Sequence, residues 1–443
     1  MARERPHVVI IGGGFGGLYA AKELGGAPVR VTLIDRRNHH LFQPLLYQVA
    51  TAVLNTGDIA APIRGVLRDH SNVEVRLGEV TGIDVAGRRV LLGEEAVEYD
   101  HLIVAAGATH SYFGHPEWEP LAPGLKTIED ALDMRRRILL AYEAAEQERD
   151  PLRVAELLTF VVVGGGPTGV ELAGALAEIG RHTMARDFRR IDPRQARVVL
   201  VEAAPRILQV YPPELSAKAE RQLVELGVEV RTHALVTRID EHGVLLDGER
   251  LAAKTVLWAA GVQASPLGRM LGAPVDKAGR VLVTPTLNLP DHDEVYVVGD
   301  LARLELNGQL VPGLAPTAIQ EGRHAARNIL RAIEGGRPEP FRYVDKGSMA
   351  TIGRARAVAV VFGAKLSGFL AWLMWLFIHI LYLIGFRSRV IVLIEWAWAY
   401  LTWQRGTRLI TGRDRQAPAL PQPQAASLAA GGTGVLPERQ TKP

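Results

Sequence analysis

A glycine-rich stretch that occurs twice places the strongest constraint on how this chain can fold. Residues 8–24 read VVIIGGGFGGLYAAKEL, and residues 160–176 read FVVVGGGPTGVELAGAL. Each copy has an apolar run, a glycine turn and an alanine-rich segment, which is typical of the strand, turn and helix that open a dinucleotide-binding fold. The repeat therefore predicts an α/β fold with two Rossmann-type dinucleotide-binding domains.

The glycine spacing indicates how each turn would bind a pyrophosphate. In G-x-G-x-x-G the first glycine allows a sharp turn, the second admits the phosphates to the backbone, and the third lets helix and strand pack closely. The free N–H groups at the helix N-terminus then face the phosphates. The predicted nucleotide contacts are Gly12, Gly14, Phe15, Gly16 and Gly17 in the first copy, and Gly164, Gly166, Thr168 and Gly169 in the second.

An acidic residue follows the next strand in each copy, where a carboxylate can accept a hydrogen bond from a ribose hydroxyl. Asp35 ends VRVTLID, with Arg36 beside it, and Glu202 follows ARVVLV. A carboxylate at the second site favours NADH, because it would repel the 2′-phosphate of NADPH. Arg206 lies close enough in sequence to leave this preference open.

A third motif assigns the two nucleotides. The stretch DEVYVVGDLAR at 293–303 is an apolar strand ending in Gly299 and Asp300, a pattern typical of flavoprotein reductases in which the acid lies against the ribityl chain of FAD. The stretch YDHLIVAAGATHSYFG at 99–114 complements it. Together they predict an FAD domain written in two pieces around an inserted NADH domain. Further predicted cofactor contacts are Ala106 and Gly107 for FAD and Ala260 and Gly261 for NADH.

These motifs divide the chain into six parts. The last part is rich in Pro, Ala, Gly and Gln, a composition that favours disorder. We expect a first FAD-domain segment at 1–115, a connecting helix at 116–150, the NADH domain at 151–265, a second FAD-domain segment at 266–335, a membrane-binding domain at 336–414 and a disordered tail at 415–443.

Composition excludes several kinds of chemistry. The chain has no cysteine, which excludes dithiol redox steps, thiol intermediates, iron–sulfur clusters and disulfides. The adjacent His39 and His40 have no third ligand at a suitable spacing, so we predict no metal site. No stretch alternates aromatic and basic residues along a groove, so we predict no nucleic-acid partner. The N-terminus runs directly into a strand without a signal peptide, which favours a cytoplasmic location.

The C-terminal region indicates contact with a lipid bilayer through residues 366–410. Residues 366–386 carry no Asp, Glu, Lys or Arg, and as one helix they would be ~32 Å long, enough to span a bilayer. Five of the seven tryptophans lie between 372 and 403, and indole prefers the membrane interface. Between 337 and 415 there are 12 Lys and Arg against 4 Asp and Glu, which favours anionic lipid. A single transmembrane helix and a monotopic helical hairpin both remain open.

Several longer stretches resemble one family, the type II, non-proton-pumping NADH:quinone oxidoreductases. They are NHHLFQPLLYQVAT at 38–51, VPGLAPTAIQEGRHAARNI at 311–329, YVDKGSMATIGRARAVA at 343–359 and the Trp-rich C-terminus. The glycine turns alone would also fit ferredoxin, rubredoxin, glutathione or sulfide reductases. The resemblance implies hydride transfer from NADH to FAD, then reduction of a membrane quinone, menaquinone or ubiquinone, in a respiratory chain. It also favours the monotopic arrangement on the cytoplasmic face of the inner membrane.

The resemblance also implies roles for individual residues. Glu171 would face the nicotinamide and flavin and assist charge or proton movement, although it could equally be a carboxylate stabilised by the helix dipole. Gln320 would contact flavin and quinone, or it could be a solvated residue of its helix. Pro316 stands where many relatives carry a first glutamine, so a quinone contact through two glutamines is not expected. Lys346 would lie near the quinone, or pair with Asp345 on the surface. The residues expected beside the isoalloxazine are Gln43, Pro44 and Leu45, and Ala318 is a further expected cofactor contact.

Two other functions stay open from the residues alone. One is a soluble NADH-dependent reductase of a ferredoxin-like or rubredoxin-like carrier. The other is an NADH-sensing flavoprotein that recruits a partner. The membrane-directed C-terminus argues against both. The sequence leaves open whether the chain forms a homodimer.

Overall fold

The computed structural model describes residues 5–412. The tail predicted to be disordered, 415–443, lies outside these residues. Two parallel sheets, each opening with one of the glycine turns, organise the described part of the chain.

The first sheet is centred on the strand that leads into the first glycine turn. His7–Ile11 pairs in parallel with Arg30–Asp35 on one side and His101–Val104 on the other. Val73–Leu77 and His292–Val297 extend the sheet in parallel at the two sides, and Asn288–Leu289 closes one edge in the antiparallel sense. The central strands are apolar and buried on both faces, as in parallel sheets covered by helices.

The second sheet repeats this order. Thr159–Val163 pairs in parallel with Arg197–Val201 and with Thr255–Trp258, and Val228–Arg231 lies outside Arg197–Val201. In both sheets the strand after the glycine helix lies beside the first strand, and the next strand lies beyond it.

Each sheet also has a three-stranded antiparallel insertion. The strands are Gly82–Asp84, Arg89–Leu92 and Glu95–Glu98 in the first, and Val236–Asp240, Gly243–Leu246 and Glu249–Ala252 in the second. Two-stranded pairs complete the described strands before residue 348: His39–Leu41 with Ala60–Pro62, Ala108–His110 with Val262–Ala264, Val281–Leu282 with Ala302–Arg303, and Glu305–Leu306 with Gln309–Leu310.

Helices cover the sheets and connect them. The helix Ala315–Ile333, called the closing helix below, packs across the first glycine helix. The predicted connecting helix over 116–150 is too long: the helix begins at Ile128, where Thr127 and Asp130 form a reciprocal N-terminal cap, and a second helix follows its end. The other α-helices up to residue 333 are Phe15–Glu23, Leu46–Ala50, Thr56–Ile59, Ile63–Leu67, Ile128–Gln147, Pro151–Leu157, Pro167–Glu178 and Pro213–Glu225.

The C-terminal region forms a small sheet and a helical hairpin. Ser348–Gly353, Arg356–Val361 and Ala364–Ser367 make an antiparallel sheet, called the capping sheet below. Phe369–Tyr382 and Phe386–Thr402 form the hairpin. Ala371, Trp375, Val392 and Trp396 are its buried residues.

The single helix considered over 366–386 is wrong. Its first residues belong to a strand, Gly368 precedes the helix with a φ of 76°, and the helix ends at Tyr382 after 14 residues. A helix of that length rises about 21 Å, less than the hydrocarbon thickness of a bilayer. Within residues 5–412, no helix combines the length and the apolar character needed to cross a membrane.

Candidate functional site

The first glycine turn has the backbone geometry that its sequence predicts. Gly12 has a φ of 100°, and a Cβ atom there would lie 2.5 Å from the carbonyl oxygen of Ala105. A Cβ atom at Gly17 would lie 1.9 Å from the oxygen of Gly12, so the helix packs directly on the turn. A Cβ atom at Gly14 would have no neighbour within 4 Å. The turn is thus closed where the chain packs on itself and open where a pyrophosphate would approach.

The second glycine turn repeats this geometry. Gly164 has a φ of 108°, and its Cβ position lies 2.5 Å from the Cα atom of Ala260. The Cβ position of Gly169 lies 1.8 Å from the oxygen of Gly164, whereas that of Gly166 is open. The two turns therefore offer the same cradle, which fits the pyrophosphate of a dinucleotide in each.

The side chains of the two acidic residues stabilise the backbone of the turns. The side chain of Asp35 accepts hydrogen bonds from the backbone N–H groups of Gly13, at 2.6 Å, and Arg37, at 2.7 Å. Glu202 does the same with Gly165, at 2.6 Å, and Ala204, at 2.8 Å. Each carboxylate is partly buried and keeps further acceptor capacity, so it can also accept from a ribose hydroxyl.

Arg206, which left the choice between NADH and NADPH open, is fully engaged. Its guanidinium donates to the backbone carbonyls of Leu208, Gln209 and Tyr211. A guanidinium committed to three carbonyls is a poor partner for a 2′-phosphate.

The closing helix brings Gly299 and Ala318 to the first turn. The Cβ position of Gly16 lies 3.5 Å from the oxygen of Ala318, and that of Gly299 lies 3.4 Å from the Cβ atom of Ala318. Asp300 follows in the short helix Gly299–Leu301, with Gly313 close to its carboxylate. The predicted FAD contacts from distant parts of the chain therefore converge on one place.

Glu321 belongs to this convergence, and the sequence analysis missed it. It is 3% exposed, and its side chain accepts a hydrogen bond of 2.6 Å from the N–H of Gly299. Burial raises the pKa of Glu321 to about 8, and the nearby Asp300 adds to the rise. The available signal was its position beside Gln320, in a stretch that the sequence analysis already placed near the flavin.

A buried histidine and two phenylalanines lie beside the first turn. The ring nitrogen Nδ1 of His40 lies 3.0 Å from the carbonyl oxygen of Gly13, and burial lowers the pKa of His40 to about 4. Phe15 packs edge-on against His40, at 4.9 Å between ring centroids, and against Phe42, at 5.9 Å. Since a carbonyl only accepts, the neutral His40 donates from Nδ1 and supports the turn.

Not all of the remaining predicted FAD contacts lie at the first glycine turn. Ala106 and Gly107 follow the strand that packs against Gly12, and Gly107 has a φ of 66°. The short helix Gln43–Leu45 holds the predicted ring contacts, with Leu45 buried and Gln43 donating to the oxygen of Lys126. Arg36 lies outside the group: it is exposed and 4.0 Å from Glu79.

At the second turn, Thr168 is exposed. Ala260 packs beneath Gly164. Gly261 accepts a backbone hydrogen bond from Ser111. Among these predicted contacts, Ala260 is the one that supports the turn itself.

Glu171 lies on the second glycine helix and lines a cleft under the hairpin. The cleft, called the hairpin cleft below, is bounded by the helix Pro167–Glu178, the capping sheet and both hairpin helices. Burial raises the pKa of Glu171 well above its ordinary value, although a hydrogen bond from the backbone of Thr351 opposes the rise. Other residues that line the cleft include Tyr47, Gln48, Trp372, Trp396, Tyr400 and Arg405.

The structure gives Gln320 and Lys346 specific partners. The side-chain amide of Gln320 donates to the carbonyl of Val344 and accepts from the N–H of the same residue, each at 3.1 Å. Lys346 donates to the hydroxyl of Tyr382, at 2.9 Å, and not to Asp345. Gln320 therefore holds the segment before the capping sheet, and Lys346 joins that segment to the hairpin.

Comparison with known proteins defines the class of this fold and site. The family model described as pyridine nucleotide-disulphide oxidoreductase matches residues 6–322. The NDH2 of Plasmodium falciparum, solved in complex with NADH, superimposes with a TM-score of 0.84 over 92% of this chain and 100% of that chain, at 19% identity. This likeness shows the fold. Because this chain has no cysteine, the disulphide step in the family description has no counterpart here.

More similar relatives narrow the class to one family. The type II NADH:quinone oxidoreductase Ndh of Mycobacterium tuberculosis is 49% identical over 97% of this chain and 96% of that protein. The type II NADH:quinone oxidoreductase of Staphylococcus haemolyticus is 31% identical over 83% of this chain and 92% of that protein. The chain belongs to the type II NADH:quinone oxidoreductases. This membership confirms the predicted fold class, the cofactors FAD and NADH, and electron transfer from NADH to a quinone.

Proposed function

We propose that FAD binds at the first glycine turn, NADH binds at the second, and a membrane quinone reaches the flavin from the hairpin side. The observation that carries this assignment is the hairpin cleft. Its lining includes Glu171, on the helix that follows the second turn, and Trp372 and Tyr400 of the hairpin. A cleft between the nucleotide-binding helix and an apolar hairpin suits an acceptor that dissolves in lipid.

The residues of the first turn would retain FAD. The open approach at Gly14 and the helix N-terminus behind it would bind the pyrophosphate. Asp35 would accept from the adenosine ribose, and Asp300 from the ribityl hydroxyls. Bound FAD supplies a ring that accepts a hydride and gives up two electrons. Gln43, Pro44, Leu45 and Ala318 would position that ring.

At the second turn, Gly166 would admit the pyrophosphate of NADH and Glu202 would accept from its ribose. Burial raises the pKa of Glu171 well above its ordinary value, which favours the protonated carboxyl, so Glu171 can act as a proton donor inside the cleft. Lys346 would act through its hydrogen bond to Tyr382, and Gln320 through the segment before the capping sheet, to which it is hydrogen-bonded at Val344.

The hairpin would attach the protein to one leaflet of the membrane. Its outward positions are apolar and follow helical spacing: Leu370, Leu373, Phe377 and Leu381 on one helix, and Ile394, Trp398 and Leu401 on the other are between 42% and 78% exposed. An exposed apolar face of this kind is typical of helices that lie in the plane of the interface. We propose the cytoplasmic face of the cell membrane as the side of attachment.

The experiment compares the intact protein with a variant of the hairpin face. Truncation is unsuitable, because Trp375, Trp396 and Arg405 are buried against the rest of the protein. In Phe377→Ser/Leu381→Ser/Leu401→Ser, only exposed side chains change. We expect weaker binding to anionic lipid vesicles and slower reduction of a long-chain menaquinone in vesicles, with unchanged reduction of a short water-soluble quinone. Equal vesicle binding would refute the membrane assignment, and no quinone reduction by the flavin-loaded wild type would refute the function.

A further inference from the structure

A chain of three side chains runs along the wall of the hairpin cleft. The side-chain amide of Gln48 donates to the hydroxyl of Tyr47, at 2.9 Å. The indole N–H of Trp396 donates to the side-chain oxygen of Gln48, at 2.7 Å. All three are at most 9% exposed, although they come from the helix Leu46–Ala50 and from the second hairpin helix.

The chemistry of Trp396 fixes the direction of these hydrogen bonds. An indole nitrogen donates and cannot accept. The amide oxygen of Gln48 must therefore face Trp396, and its NH₂ group must face Tyr47. The oxygen of Tyr47 is thus the acceptor from Gln48, and its own O–H remains to be donated to another group.

The carboxylates of Glu171 and Glu178 both raise the pKa of Tyr47, but Glu178 is already hydrogen-bonded to other groups. Glu178 accepts from the guanidinium of Arg405, at 3.1 Å, and from the N–H of Arg354, at 2.6 Å. Glu171 lines the same cleft as Tyr47, and of the charged groups acting on Tyr47 its carboxylate contributes most to raising the pKa of that phenol. Of the two carboxylates that line the cleft, Glu171 is therefore the one that remains as an acceptor for the O–H of Tyr47.

We propose that Tyr47 is a positioning residue for proton transfer, which donates a hydrogen bond to the carboxylate of Glu171 once that group has given its proton to the quinone. The inference rests on the proposed function. NADH supplies two electrons and one proton as a hydride, Glu171 supplies the second proton, and water later returns a proton to Glu171. In this step the O–H bond of the Glu171 carboxyl breaks and an O–H bond of the quinol forms.

Because Glu171 is buried, a hydrogen bond from Tyr47 has a large effect on how tightly its carboxyl holds a proton. Burial is the main cause that raises its pKa, and the other groups facing it or Tyr47 are the hydroxyl of Tyr211, the backbone of Thr351, Glu178 and Arg405. A buried carboxylate that gains a hydrogen bond from a neutral donor is stabilised, which lowers its pKa and speeds proton release. Without the donor, the carboxyl holds its proton more tightly.

The test is Tyr47→Phe in the flavin-loaded protein, with the two half-reactions followed separately by rapid mixing. We expect flavin reduction by NADH to change less than about twofold, and flavin reoxidation by a menaquinone analogue to slow about tenfold, as for one lost hydrogen bond to a charged group. The alkaline limit of the quinone step should move up by about one pH unit. In infrared spectra of the resting protein, the carboxyl band that is absent from Glu171→Gln should persist to higher pH in Tyr47→Phe.

A second variant and a control separate this role from a structural one. Trp396→Phe frees Gln48 to rotate and accept from Tyr47, so we expect the same direction of change in the quinone step and in the carboxyl band. Tyr142→Phe removes the hydroxyl of another buried tyrosine, outside the cleft lining, and should leave both measurements unchanged.

The outcomes are distinguishable. If the wild type does not reduce the quinone, the proposed function fails. If it does, and the pH limit and carboxyl band are the same in Tyr47→Phe and Trp396→Phe as in the wild type, the inference about Tyr47 fails alone. A change of equal size in Tyr142→Phe would also overturn it.

Discussion

The two glycine turns share one geometry but differ in what covers them. At the first, Phe15 packs on His40 and the closing helix crosses the glycine helix so closely that a Cβ atom at Gly322 would lie 2.1 Å from the oxygen of Gly16. At the second, the corresponding positions, Pro167 and Thr168, are exposed. The same cradle is thus enclosed in one domain and accessible in the other, which suits a retained FAD and an exchanging NADH.

The second glycine helix is crossed as well, but further along. A Cβ atom at Gly174 would lie 1.7 Å from the carbonyl oxygen of Ile352, in the capping sheet. The contact is two helical turns beyond the glycine turn, so it leaves the mouth of the second site open. It also joins the second glycine helix to the sheet that precedes the hairpin.

The strongest test of this comparison uses one substitution in both turns. Gly14 and Gly166 have ordinary φ values of −70° and −72° and open Cβ positions, so aspartate fits without strain. Its charge would repel the pyrophosphate. We expect Gly14→Asp to be purified without flavin, as measured by visible absorbance. We expect Gly166→Asp to keep its flavin and to raise KM for NADH at least tenfold, a loss of about 1.4 kcal/mol or more.

Gly14→Ala and Gly166→Ala are the neutral controls, and both should retain flavin with a KM for NADH close to that of the wild type. Loss of flavin from Gly166→Asp, with flavin retained by Gly14→Asp, would reverse the assignment of the two sites.

The next prediction concerns Arg405, which connects the part of the chain after the first turn to the second glycine helix. Arg405 is 7% exposed. It donates to the backbone oxygen of Thr51, at 2.9 Å, and to the carboxylate of Glu178, at 3.1 Å. Removing one partner of a buried ion pair costs about 3–5 kcal/mol. We expect Arg405→Met to lower the free energy of unfolding by about this amount, measured by denaturant titration. Arg356→Met, which breaks a more exposed pair with Glu225, should cost about 1 kcal/mol or less; equal losses would contradict the interpretation.

The sequence predicted the elements that depend on short-range sequence patterns. The glycine turns, their acids and the order of the motifs follow from strand, turn and helix patterns that recur within short windows. The hairpin could not be predicted in this way, because hydropathy over 366–386 does not show that Gly368 and Gly385 adopt positive φ and bound separate helices.

Hydrogen bonds between residues far apart in the sequence could not be predicted either. Gln320 is joined to the backbone of Val344, and Glu321 to that of Gly299, by packing of the closing helix. Such partners lie more than 20 residues away, and no periodicity in the sequence encodes them. The domain boundaries and the roles of Glu171, Gln320 and Lys346 stay predictions.

A smaller effect is expected where the second site selects its nucleotide. Glu202 would repel a 2′-phosphate, and Arg206 is committed to backbone carbonyls. In Glu202→Ser the repulsion is removed while a hydroxyl remains to accept from Gly165. We expect the ratio of kcat/KM for NADPH to that for NADH to rise about tenfold, about 1.4 kcal/mol. Asp35→Ser, the equivalent change at the first site, should leave this ratio unchanged; an unchanged ratio in Glu202→Ser would show that another group excludes NADPH.

The smallest expected effect is a pH dependence that belongs to the enclosed site alone. The pKa of Glu321 is about 8 in the folded protein, against an ordinary value of 4.5. Between these values the folded state binds one proton more than the unfolded state, so Glu321 makes stability fall as pH rises, by at most about 1.4 kcal/mol per pH unit. In Glu321→Gln the amide oxygen can still accept from Gly299, and no charge has to be buried at high pH. In Glu321→Gln the decrease in Tm from pH 6 to pH 8 should therefore be smaller by a few degrees than in the wild type. The measurement is calorimetry of the flavin-loaded protein. The control is Glu334→Gln, whose side chain is exposed at the end of the same helix and which should match the wild type. An identical decrease in Glu321→Gln would mean that this carboxyl titrates normally, and that the cover over the first turn admits water.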